Sequence, residues 1–394
     1  MISPMRLLRG SRVILLAIAA AALAISLTTF AQQPATVADQ LSTPERIKKN
    51  KWWPLKGTAL RDEYVGNTAC SECHAAIVAT QSKSAMAQTS ARTVDSTLLK
   101  EHAKELNFPI GPYSYAITYA KDGVTYSAHD GTNTISGPLV WGFGKGRMGQ
   151  SYLFDYHNKT VMLPMSYYGD AKLWDFTVDV PHTPPTTLEK ALGVELSPEQ
   201  RRGCFDCHAT ASTTSERFDP DKATPGVTCE ACHGPGANHV AAAKAGWVDQ
   251  GATAIFNPAG FKPVDSVDFC GSCHRTWWDV VLQDQRGPKS LRFPAYRLQS
   301  SRCWGTGDSR ITCVACHDPH APLVTEAAYY DKKCLSCHVA QGAKPTAEHP
   351  GMACPVATKD CSSCHMPKSD AAFIHSQMTD HWIRVVRPSE KFPE

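Results

Sequence analysis

The chain has 394 residues, 40 basic and 37 acidic, with 16 cysteines. The small basic excess comes from Arg6, Arg9 and Arg12 in a leader-like segment, and without them 37 basic residues face 37 acidic ones. Such a balance carries no electrostatic footprint for nucleic acid and excludes that class of partner.

Residues 1–31 combine those arginines with an apolar run, Val13 to Phe30, and small residues Thr29 and Ala31 around a cleavage point. This is the pattern of a removed export signal; an uncleaved anchor is the competing reading, because the run approaches spanning length. With the signal gone, no membrane span is expected and the destination is the periplasm or the exterior. Residues 32–107 form an N-terminal segment with a first Cys-x-x-Cys-His run, "CSECH". Residues 108–180 read as a β-rich module. "YSYAITYAKDGVTYSAHDG" alternates Tyr113, Tyr115, Ile117 and Tyr119 and turns at Asp122-Gly123, and "SYLFDYHNKTVMLPMSYY" turns near His157-Asn158-Lys159. "GKGRMG", Gly144 to Gly149, has the letters of a dinucleotide loop, but a strand rather than a helix follows it. Its glycines are expected to make a turn near the first motif. Residues 181–394 hold six further Cys-x-x-Cys-His runs.

Those seven runs account for fourteen cysteines: Cys70 and Cys73, Cys204 and Cys207, Cys229 and Cys232, Cys270 and Cys273, Cys313 and Cys316, Cys334 and Cys337, Cys361 and Cys364. Each pair is followed at once by a histidine: His74, His208, His233, His274, His317, His338 and His365. On a helical turn the first cysteine, the second cysteine and the histidine are i, i+3 and i+4, so all three project from one face. Two thioethers can grip a porphyrin edge while the imidazole meets the iron, which is the c-type haem attachment signature. Zinc ribbons need no invariant following histidine, and thioredoxin-like pairs would not recur seven times. Seven c-type haems are expected. Six motifs between Cys204 and His365 leave little room for an aliphatic core. The expected fold is therefore mostly α and irregular, packed around haems, with the small β-rich module between the first and second motifs.

A haem iron has a sixth position, which His or Met fills in an electron carrier and which stays open for a substrate. His320 lies three residues after His317 and cannot reach the far face of the same iron, so it should ligate a different one. The same argument applies to His239 after His233. His182, His375, His381 and His349 are further candidate distal ligands, with Met86 a candidate for the first haem. His102, His129 and His157 read as ordinary surface residues. Cys303 and Cys354 are left over, and a disulfide is the default in an oxidising compartment. Arg292, Arg297, Arg302 and Arg310 are candidate partners of haem propionates.

The stretches "YVGNTACSECH", "GFGKGRMGQSYL" with "LPMSYY", "GVTCEACHGPGANH", "RLQSSRCWGTGDSRITCVACHDPH" and the closing "CSSCHMPK" and "TDHWIR" span most of the mature chain. In them the chain resembles the periplasmic multihaem c-type cytochromes, the group that includes the tetrahaem electron carriers of nitrifying bacteria. The resemblance implies distal ligation by His239, His320 and His381, and an electron-transfer role. Ser84 and Met86 stand where many relatives place a histidine. The expected partners are redox proteins, such as a quinol-oxidising complex or a terminal reductase. The rival reading is a haem oxidoreductase acting on a small nitrogen or sulfur compound at one open haem; no Cys-x-x-Cys-Lys motif is present. A polymerised haem wire is a third.

Overall fold

A computed structural model of the chain describes residues 59–394 except 122, 283–284, 306–309, 349, 388, 391 and 393–394. The leader-like segment and the candidate ligand His349 lie outside the described residues.

Alternation builds the sheet. In β2 (Ser114–Ala120) Tyr115 and Ile117 point inward between exposed neighbours, and in β3 (Gly123–His129) Val124, Tyr126 and Ala128 do the same. β4 (Thr134–Phe143), β5 (Ser151–Tyr156) and β6 (Lys159–Met162) continue the antiparallel meander. The β5–β6 turn falls at His157 and Asn158, both with positive φ, as a two-residue hairpin requires. Tyr126, Tyr152, Phe154, Leu163 and Met165 are fully buried and centre the largest core cluster.

The sheet has seven strands in the order β2-β3-β4-β5-β6-β9, with β1 on β4, and it reaches beyond residues 108–180. β3 pairs with β4 only as far as Pro138, so the edge from Trp141 to Phe143 needs another partner. β1 (Ser90–Arg92) supplies it, and β9 (Val194–Glu195) covers β6. β7 (Met165–Tyr168) and β8 (Leu173–Phe176) form a separate hairpin.

The chain beyond Cys204 is a string of short helices. The longest is Pro263–His274. Small strand pairs, β10 (Ala209–Thr210) with β11 (Thr224–Pro225) and β12 (Lys368–Ala371) with β13 (Ser376–Thr379), interrupt it. Its buried apolar cluster within residues 229–365 is small, built from Val267, Ala295 and Leu298. Among the described residues no helix is long and apolar enough to cross a membrane.

Candidate metal centres

Every motif sits on or at the end of a helical turn. Five close a helix: Pro198–His208, Cys229–His233, Pro263–His274, Cys313–Cys316 with His317 as its cap, and Cys361–His365. The first lies inside Gly66–Gln81, where His74 departs from helical angles. In the sixth, His338 N–H still donates to Cys334 O at 3.0 Å, just past the helix Ala327–Leu335. The second motif owes its helix to the capping box of Ser197 and Gln200 with Pro198 in the first turn.

The imidazoles are oriented by backbone carbonyls. His233 Nδ1 lies 2.9 Å from Phe256 O, His338 Nδ1 2.8 Å from Met352 O, and His365 Nδ1 2.9 Å from Arg384 O. His208 Nδ1 meets Thr89 Oγ1 at 2.7 Å and Thr89 O at 3.2 Å. Outside the motifs, His239 Nδ1 meets Gly251 O at 2.7 Å and His381 Nδ1 meets Thr379 O at 3.0 Å. A carbonyl only accepts, so these rings carry the proton on Nδ1 and leave the Nε2 lone pair for a metal. Burial lowers the pKa of His208, His233 and His317, and lowers that of His381 to about 4, which keeps them neutral.

Three motif histidines face a second imidazole. His74 and His239 have ring centroids 6.3 Å apart at 18°, His233 and His320 5.9 Å at 11°, and His317 and His381 6.2 Å at 44°. With metal–imidazole bonds of about 2 Å and roughly 1.2 Å from nitrogen to ring centre, two imidazoles on opposite sides of one metal stand about 6.4 Å apart. The spacing therefore fits an iron between each pair. His320 is turned away from His317 by the Asp318-Pro319 spacer, whose Asp318 Oδ1 accepts the His320 N–H at 2.8 Å.

Motifs distant in sequence are neighbours in space. The thiols of Cys70 and Cys229, of Cys270 and Cys313, and of Cys334 and Cys361 lie close enough to perturb each other's ionisation. Cys207 Sγ lies 3.8 Å from Ser272 O, and Cys273 Sγ 3.9 Å from Asp206 O, which joins the second motif to the fourth.

Residues 182–234 match the family model described as "Cytochrome c554 and c-prime". Multiheme cytochrome MtrA of Shewanella baltica (strain OS185) is 25% identical over 228 residues. That alignment covers 53% of this chain and 56% of the relative, so the chain spans only a little over half of that relative's length. Both matches are to cytochromes, in keeping with the seven Cys-x-x-Cys-His runs. A solved structure, the Outer Cell Wall Cytochrome OcwA, aligns with a TM-score of 0.44 and 14% identity, over 82% of this chain and 80% of that one.

The chain places its remaining candidate residues elsewhere. The ring facing His74 is His239, where the sequence reading offered Met86; Met86 is half-buried, and its carbonyl accepts the N–H groups of Thr89 and Val227. His375 Nε2 lies 2.6 Å from Asp175 Oδ2, and exposed His182 stacks on Phe176 at 4.1 Å. Both stand beside the β7–β8 hairpin, because apolar and acidic groups of β8 hold them there. Cys303 and Cys354 are not joined in a disulfide. Arg292 binds Asp179, Arg310 binds Glu348 O, and Arg297 forms a fully buried pair with Asp380. The Gly144 to Gly149 turn adjoins the second motif and not the first: Gly144 N–H donates to the carbonyl of Thr89, the residue that holds His208.

Three acidic residues escaped the sequence reading. Glu230 lies inside the third motif. Asp331, 7% exposed, accepts the N–H groups of Asp360 and Cys361 at 2.8 Å each, tying the sixth motif's helix to the start of the seventh's. Asp380 precedes His381. The only available signal was adjacency, an acidic residue inside or beside a motif.

Proposed function

We propose that the seven motifs bind seven c-type haems and that the protein is an exported electron carrier. Each cysteine pair would supply the two thioethers, and His74, His208, His233, His274, His317, His338 and His365 the proximal imidazoles. His239, His320 and His381 would serve as distal ligands to the first, third and fifth irons. The haem, when bound, supplies reversible one-electron exchange.

The observation that carries this reading is the three imidazole pairs, each assembled from residues far apart in sequence. Two of them use the histidine of one motif's tail to complete another motif's site: His239 follows the third motif and faces the first, and His320 follows the fifth and faces the third. The neighbouring cysteines of different motifs would bring adjacent porphyrin edges close, which suits exchange with soluble redox partners at the ends of the array. The similarity to a multiheme cytochrome agrees with this role.

The test is the purified holoprotein. Intact mass should show seven covalent haems on a chain shortened by its leader. Low-temperature electron paramagnetic resonance should show low-spin iron at the first, third and fifth sites. His239→Ala, His320→Ala and His381→Ala should each convert one low-spin haem into a high-spin, carbon-monoxide-binding one. Unchanged spectra in all three variants would sink the ligand assignment.

A further inference from the structure

Glu230 has no role in haem attachment, yet it is 3% exposed and makes three hydrogen bonds, two of them to residues 165 and 164 positions away. It is the second residue of the third motif, "CEACH". Its Oε1 accepts the N–H of Val65 at 2.9 Å and of Gly236 at 2.9 Å, and its Oε2 accepts the N–H of Gly66 at 2.8 Å. These donors belong to two helix starts. Val65 and Gly66 open the helix Gly66–Gln81, which carries His74, and Gly236 caps the helix Ala237–Lys244, which carries His239. The first N–H groups of a helix have no partner of their own and favour a negative group. One carboxylate thus serves both helices at once. The Gly236 backbone packs so closely on the Val65 side chain that a Cβ on Gly236 would stand 3.0 Å from Val65 Cγ2.

We infer that Glu230 is a positioning residue that holds His74 and His239 at the separation one iron requires, and that it does so from within the third motif. This rests on the ligand assignment proposed above. The third motif's short helix Cys229–His233 fixes where the carboxylate sits. Cys229 is in contact with Cys70, and Cys229 N–H donates to Asn67 Oδ1 at 3.4 Å. Attachment of the third haem therefore sets the ligation of the first. The two helices are also joined by Lys244 and Glu72 at 2.9 Å, but both side chains are more than half exposed, and such a pair contributes little.

The experiment compares holoproteins carrying Glu230→Gln, Glu230→Ala, Lys244→Ala and His239→Ala by electron paramagnetic resonance and by carbon-monoxide difference spectra. Glutamine keeps the shape but turns an N–H donor toward at least one backbone N–H, so E230Q should shift or split one low-spin signal. E230A should convert that same haem to high spin, with the loss of one haem's share of the low-spin intensity. K244A should match the parent. Parent-like spectra in both Glu230 variants, with His239→Ala losing one low-spin haem, would overturn the clamp and leave the ligation intact. A parent-like His239→Ala would remove the ligation and the clamp together.

Discussion

Arg297→Met tests whether a buried ion pair holds the fifth motif's second imidazole. Arg297 and Asp380 are each 1% exposed, with Nε to Oδ1 at 2.8 Å and an Nη to Oδ2 at 2.7 Å. Asp380 also accepts Arg384 Nη1 at 2.6 Å and the Trp382 N–H at 3.0 Å. Breaking a buried pair from one side costs about 3–5 kcal/mol, because the other charge is left without its partner. After Arg297→Met the carboxylate keeps Arg384 and a backbone donor, so the cost should fall at the low end, about 3 kcal/mol. Asp380→Asn removes the carboxylate that two guanidinium groups share, one of them fully buried, and should cost about 4–5 kcal/mol. The double variant Arg297→Met with Asp380→Met should recover much of either loss, since apolar replacements of a buried pair are often tolerated. Urea unfolding of the holoprotein, followed by circular dichroism, reads these as midpoint shifts of roughly 1 M or more at a slope near 3 kcal/mol/M. His381 is the next residue after Asp380, so both single variants should also disturb one low-spin haem. The reasoning fails if both unfold within about 0.5 kcal/mol of the parent, or if Arg297→Met proves the costlier change.

Three further perturbations follow from single contacts. Thr89→Val removes the hydroxyl 2.7 Å from His208 Nδ1 but keeps the Thr89 carbonyl at 3.2 Å; the loss should be about 1 kcal/mol in urea unfolding, with a spectral change confined to the second haem. Gly144→Ala adds a Cβ 2.3 Å from Gly149 O at a position with φ +102°, so the loop must shift. A cost of about 2 kcal/mol or more should appear as a lower Tm. Asp179 has a lowered pKa. Burial acts to raise it, but the hydrogen bonds from Lys289 and Arg292, at 2.8 and 3.0 Å, outweigh that. Its stabilisation is thus complete above the unfolded carboxylate range and is lost as pH falls through the lowered folded value. Because the carboxylate is partly exposed, Asp179→Asn should cost about 0.5–1 kcal/mol at pH 7, and the difference should vanish in strong acid.

The β-rich part was legible because it obeys a local rule. Tyr115 and Ile117 alternate with polar neighbours whether or not the rest of the chain is known, and the His157-Asn158 turn needs only its own residues and their strands. Its edges were not legible. Ser90–Arg92 joins β4 only because β3 stops at Pro138 and leaves Trp141 to Phe143 open, a consequence of length that no local pattern encodes. The attachment motifs were equally plain, since i, i+3 and i+4 spacing is a property of one helical turn.

The second imidazoles are a different kind of problem. For His320 a short tether was enough to exclude the nearest iron, but choosing His233 as its counterpart required the fold. His375 and His182 show the converse. Asp175 and Phe176 of β8 hold them beside the sheet. What distinguishes His381 is the residue before it. Asp380 is buried against Arg297 of the helix Pro294–Gln299, which anchors the backbone next to His381. Glu230 and Asp331 follow the same logic: each spends a buried carboxylate on the N–H groups that begin another motif's helix. A site built on short helices with little apolar core of its own gains its rigidity from such carboxylates. Where a motif in a multihaem chain has an acidic residue inside or beside it, that residue is the first place to look for what aligns the ligands.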